Sequence, residues 1–179
     1  SAFSGQEFFL DDHRVRLGDG AVQRLVPGVA YLEMMRAAAV LAVPEWDDAG
    51  GLELHDITWS RPLAVSSPTT VTVALSPDER GDLGIAITTA VADADVVHGT
   101  GRVRAMTGAA PARLDLERIR ERLQQGSLTS EDVYARYGRL GVDYGPSFQS
   151  IDHVQLGAEE VLAQLNLSSG AEHAADEFW

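Results

Sequence analysis

The sequence has no cysteine. Disulfides and thiolate metal sites are therefore excluded, and the absence suits a reducing compartment. Lysine is missing too: all 14 basic residues are arginine, as codon bias in a GC-rich genome would give. Positive charge is scarce beside 27 acidic residues, and the net charge is −13. That balance argues against a nucleic-acid partner, because a phosphate backbone needs a basic surface. No apolar run approaches a membrane span. The opening "SAFSGQEFF" has neither the basic nor the apolar region of a signal peptide. The expectation is a soluble, cytoplasmic chain with no membrane partner. GxGxxG, P-loop and GxSxG patterns are all absent, which argues against nucleotide use and serine hydrolysis.

What is present fits one domain, or two small fused units, with a respectable core: 179 residues, 45% hydrophobic. Residues 3–10 read as a short strand. "HRVRL" (13–17) alternates, "GDG" turns, and "AVQRLV" returns, so a hairpin is expected. Pro27 suits a first helical turn, since its missing N–H costs nothing there. From Val29 to Ala42 the apolar residues Val29, Leu32, Met35 and Ala39 recur at helical spacing. The helix is apolar on most sides, which predicts that it is wrapped, and Pro44 ends it. Residues 52–65, 69–77, 83–92 and 96–106 read as antiparallel strands. Residues 107–115 read as a small-residue linker. A charged helix then stops at Gly126. A second helix follows, capped by Ser127 or Thr129 with acid in its first turn. "VDYGPSFQSI" and two more strands follow.

Order matters more than any single motif. His13 is followed by Pro27-Gly28 and "VAYLEMMRAA", and far downstream comes "DYGPSF" with Tyr144. "LHDITWSRPL" and "VHGTGRVR" lie between. This ordered set resembles the dehydratase domain of modular polyketide synthases, which carries HxxxGxxxxP and YGP motifs. "FFLDDHRV" and "LVPGVAYLEMMRAA" resemble dehydratases of assembly lines served by free-standing acyltransferases. The resemblance implies an α+β fold of the hotdog class, a curved antiparallel sheet around a central helix. The expected organisation is a first hotdog over 1–107, a linker and helix over 108–127, and the start of a second hotdog over 128–179. Two departures stand out. The interval from His13 to Pro27, 14 positions, is longer than in the family motif, and Gly18 falls one place late. The family's second catalytic residue, an aspartate on a later helix, has no counterpart after Tyr144. Asp152 and Asp176 lie in the wrong context, and the sequence ends about where that motif would begin.

The reaction implied by the resemblance is loss of water from a 3-hydroxyacyl thioester, giving the 2,3-enoyl thioester. It needs a base for the α-proton, and imidazole titrates near neutrality, so His13 is the candidate. Charge develops on the thioester oxygen. A helix-start N–H is suited to receive it, with Pro27 fixing the helix entry and Gly28 permitting close approach. Tyr144 would position His13 or line the tunnel. No cofactor and no metal are expected. The implied partners are an acyl carrier protein bearing a phosphopantetheine-linked acyl chain, neighbouring synthase domains and a second copy in a homodimer. The alternatives within the same fold are a double-bond isomerase or a pyran-forming cyclase that reuses His13. A truncated, inactive scaffold stands outside catalysis, and a hotdog thioesterase fits less well. His55, His98, His153 and His173 lack paired metal-ligand spacing and read as structural or solvated. "RLDLERIRER" reads as a solvated helix face, or as a docking patch for an acidic carrier.

Overall fold

The computed structural model describes residues 2–46, 51–79, 81–91, 94–106 and 112–166. In chain order the elements are β1 (Ala2–Phe3), α1 (Phe8–Asp11), β2 (His13–Arg16), β3 (Val22–Arg24) and α2 (Gly28–Ala42). Then come β4 (Leu52–Trp59), β5 (Thr69–Thr70), β6 (Thr72–Pro77), β7 (Leu83–Val91) and β8 (Ala94–Ala105). They are followed by α3 (Leu116–Arg122), β9 (Ser127–Thr129), α4 (Ser130–Arg139), β10 (Val142–Tyr144), β11 (Ile151–Leu156) and β12 (Val161–Leu165). The chain forms two compact units. One joins Ser1–Leu10 to Leu25–Ala109, and the other joins Asp11–Arg24 to Ala110–Trp179. The hairpin of β2 and β3 thus groups with the later part of the chain, because β2 pairs with β10.

In the first unit, β4-β8-β7-β6 form an antiparallel sheet, and α2 packs against it. Long β-branched runs make these strands, and the core lies between their inner face and the helix. Tyr31, Met35 and Ala39 are the buried residues of α2, spaced i, i+4, i+8. They join Ile85, Ile87, Val103 and Val71 in one cluster. One stripe of the helix is fully buried, and its exposed apolar residues lie at the two ends, Val29 at 62% and Leu41 at 83%. The stripe follows Tyr31 rather than Val29. Pro27 stands at the N-cap, one place before the first turn, and the helix ends at Ala42, ahead of Pro44.

Two glycines of β8 set the distance between helix and sheet. A Cβ at Gly99 would lie 2.9 Å from the Tyr31 ring. One at Gly101 would collide with Ile57 Cδ1 and lie 3.1 Å from Met35 Sδ. Only glycine lets these strands approach α2 so closely.

The expected strand over 3–10 is also corrected. Only Ala2–Phe3 is strand. The Glu7 carboxylate accepts N–H bonds from Ser4 (2.5 Å) and Gly5 (2.9 Å), and the Ser4 hydroxyl as well (3.0 Å). That gathers the chain into a turn leading to α1. Burial pushes the Glu7 carboxyl upward, but these hydrogen bonds win and hold it below the ordinary carboxylate value.

In the second unit, β10-β2-β3 form one three-stranded sheet and β12-β11-β9 another. The hairpin loop is closed by Leu17 N–H to Ala21 O (2.8 Å) and Gly20 N–H to Leu17 O (2.9 Å). Helix α3 ends at Arg122, short of the expected stop at Gly126, with the Leu123 backbone leaving the helical region and its N–H turned to Arg120 O; Arg122 itself makes a two-pronged ion pair with Glu160 (2.5 and 2.8 Å). That arginine is a structural clamp rather than part of a free basic patch. Thr129 caps α4, with a reciprocal bond from Asp132, so the choice between Ser127 and Thr129 falls to the latter. Ser127 lies in β9 instead. The linker at 107–111, the expected end "AADEFW", His173 and Asp176 lie outside the described residues.

Candidate functional site

His13 and Tyr144 are directly opposite in the antiparallel pairing of β2 with β10. Directly opposed residues share a face, with Cβ atoms roughly 5 Å apart. Their rings lie 5.6 Å apart, and the His13 ring is 6.0 Å from that of Phe148. Tyr144 also meets Tyr137 edge-on at 5.2 Å and Tyr134 at 6.2 Å. Both of those rings come from α4, three residues apart on one face. The Tyr134 hydroxyl donates to Phe148 O (3.1 Å) and accepts from Ile151 N–H (2.9 Å). The imidazole is thus set in an aromatic nest, half-buried.

The sequence links His13 to Tyr144 in role only; the contact itself comes from the strand register. That reading misses Tyr134, Tyr137 and Phe148. The only signal was the three-residue spacing of the tyrosines and the four-residue step from Tyr144 to Phe148. Beside the nest, Asp11 pairs with Arg24 (3.0 Å), and Asp12 accepts both the Ser147 N–H (2.9 Å) and hydroxyl (2.5 Å).

Burial pushes the Tyr144 phenol above the ordinary tyrosine value, and Tyr137 and Tyr134 add to this. The phenol is therefore a proton donor throughout the neutral range. Its contribution to stability is full below the ordinary phenol value and is lost as pH rises through the raised one. Tyr144→Phe is accordingly expected to soften the alkaline fall in stability, with denaturant midpoints measured from neutral pH upward as the check. An unchanged alkaline slope would refute it.

In the first unit, Pro27 and Gly28 begin α2. The helix leaves the first N–H groups, those of Gly28 and Val29, without an acceptor inside it. A positive helix end with free donors suits a developing oxyanion. The close neighbour of Gly28 is the Trp59 indole, whose Nε1–H donates to Gly28 O (3.2 Å). A Cβ at Gly28 would lie 3.3 Å from that nitrogen.

The other histidines have local partners. His98 is buried; its Nδ1 faces Arg61 O (3.3 Å) and its Nε2 the Thr89 hydroxyl (2.8 Å). A carbonyl only accepts, so Nδ1 carries the proton and Nε2 accepts from Thr89. His55 faces Asp56 (3.0 Å) and Asp82 (3.3 Å), and His153 faces Asp152 (3.2 Å). Among the described residues, no three His, Asp or Glu side chains gather as metal ligands. No described helix is long and apolar enough to cross a membrane.

Comparison with known proteins adds the following. Residues 1–90 match the family model of the polyketide synthase dehydratase domain, and residues 111–179 that of the polyketide synthase dehydratase N-terminal domain. The chain is 33% identical over 183 residues to polyketide synthase PksN of Bacillus subtilis, spanning 99% of this chain and 3% of that synthase. A dehydratase domain of a trans-AT polyketide synthase from Brevibacillus brevis superposes with a TM-score of 0.88 at 35% identity. That match covers 98% of this chain and 61% of the other. An inactive histidine-to-phenylalanine mutant of the CurJ dehydratase gives a TM-score of 0.79 at 27% identity, over 94% of this chain and 57% of its own. The architecture is therefore of the expected hotdog class, and this chain spans about three fifths of those dehydratase structures.

Proposed function

We propose, on the premise that this chain belongs to the polyketide synthase dehydratase domains of the type served by free-standing acyltransferases, that it removes water from a 3-hydroxyacyl thioester. The observation that carries the reading is the placement of His13 opposite Tyr144 in an aromatic nest. His13 takes the proton from C2 of the acyl chain. Electrons move to the thioester oxygen and return to form the C2–C3 double bond as the C3 hydroxyl leaves. The proton held by His13 passes to the departing C3 hydroxyl, so one hydrogen from C2 and the hydroxyl from C3 leave as one water and the imidazole is restored.

Tyr144 and Phe148 hold the imidazole plane. Partial exclusion of water by these rings strengthens each electrostatic interaction at the base. Gly28 takes the oxyanion role through its N–H at the helix start, a donor held in place without reorganisation, while Pro27, which has no N–H, fixes the helix entry. The inactive CurJ mutant supports an essential histidine in a related dehydratase. The acyl chain is carried on the phosphopantetheine arm of an acyl carrier protein. Neighbouring synthase domains and a homodimeric partner complete the setting.

The test is incubation of the protein, in its native polypeptide, with a panel of 3-hydroxyacyl carrier thioesters. The carrier is then read by mass spectrometry for loss of one water. Appearance of the 2,3-enoyl product is expected. Intact hydroxyacyl chains across the whole panel would overturn the reading.

A further inference from the structure

The strand that carries His13 is tied to the Tyr144 turn by the residue just before the histidine. Asp12 O accepts the Gly145 N–H at 2.8 Å. Its carboxylate oxygen Oδ2 accepts the Ser147 N–H at 2.9 Å and the Ser147 hydroxyl at 2.5 Å. Three hydrogen bonds thus run from one residue to a turn 133 to 135 positions away (145 − 12 and 147 − 12). The fit is tight: a Cβ at Gly145 would collide with the Asp12 carboxylate. Glycine at 145 is what leaves room for the carboxylate against the turn.

Register does the rest. β2 and β10 pair through Val15–Val142, Arg14–Asp143 and His13–Tyr144. The ladder would fray at its His13 end, where β10 stops. Asp12 closes that end. The turn it holds carries Phe148, and the strand it closes carries Tyr144, the two rings against the imidazole.

We propose that Asp12, acting through Ser147, is a positioning residue for His13: it clamps the Tyr144–Phe148 turn onto β2 and so fixes the imidazole against its two rings. The proposal rests on His13 being the base. The carboxylate is engaged with Ser147. It acts as a doubly accepting anchor, and a charge-assisted bond to a hydroxyl is among the stronger single contacts available.

A misplacement of about 1 Å at a reacting group can cost on the order of 10²-fold in rate. Asp12→Ala and Ser147→Ala are therefore each expected to lower kcat by about 10- to 100-fold, with KM nearly unchanged. The double variant should fall no further than Asp12→Ala, because the hydroxyl bond lost in Ser147→Ala is one of the two side-chain bonds that Asp12→Ala already removes. Asp12→Asn keeps an oxygen that accepts both Ser147 donors and should recover most of the loss. Ser147→Ala alone carries the test if Asp12→Ala fails to fold, with circular dichroism as the check on folding. Wild-type kcat in the Ser147→Ala variant, additive losses, or an asparagine no better than alanine would overturn the clamp. His13→Ala is run alongside. If it retains full activity, the base assignment falls; if it is inactive while the clamp variants are normal, the clamp alone falls.

Discussion

His13→Ala is expected to reduce kcat for water loss by about 10²–10⁴-fold, the usual contribution of a positioned general base. Stability should hardly change. The ring is half-buried at a strand end, and a cross-strand pair contributes only about 0.2–1 kcal/mol. For a chain of this size that corresponds to a melting shift within about 4 °C. Single-turnover kinetics on a carrier-bound 3-hydroxyacyl thioester, with melting curves on the same samples, separate the two effects. Equal dehydration by parent and variant would remove His13 from the mechanism. A variant that is inactive only because it melts early would contradict the structural placement instead.

Gly101→Ala is expected to destabilise the first unit by about 1–3 kcal/mol, the range for overpacking a filled core. The reason is local. The new methyl group would land on Ile57 Cδ1 and press on Met35, which is fully buried. Ile57→Val removes the colliding atom and by itself costs about 0.5–1.5 kcal/mol. Combined with Gly101→Ala it should restore part of the loss, so the double variant is more stable than the two single effects added together. Denaturant melts of the four proteins complete the cycle. Strict additivity would show that Ile57 is not what excludes a side chain at 101.

The readable parts of this molecule are those encoded over short range. The helix from Gly28, the hairpin around 17–21 and the long strands of the first sheet follow from spacing, proline placement and β-branched runs. Which stripe of α2 is buried was not legible. Val29 and Tyr31 are both apolar enough, and the sheet selects the stripe that fits over Gly99 and Gly101. Those two glycines read simply as strand residues, because what they accommodate is far away in sequence. The site shows the same division. His13 and the Tyr-Gly-Pro turn are visible as motifs. Their pairing, and the bond from Asp12 to Ser147 across 135 positions, depend on register, which alternation alone does not specify. Glu7 shows the local limit: "FSGQEFFL" has the composition of a strand, but one carboxylate accepting two nearby N–H groups bends it into a turn.

The exposed loop between β2 and β3 has a consequence for how this lineage can vary. Its closing bonds join Leu17 to Ala21 and to Gly20, outside the paired residues His13–Arg16 and Val22–Arg24. Extra residues there lengthen the tip and leave the imidazole where it was, which accommodates the long His13–Pro27 interval. One residue inserted between His13 and Arg16 would do the opposite. It would swap inward and outward side chains, presenting a guanidinium where the ring now sits. A length change at the tip is thus expected to keep the His13–Tyr144 pairing, and the same change a few positions earlier to break it.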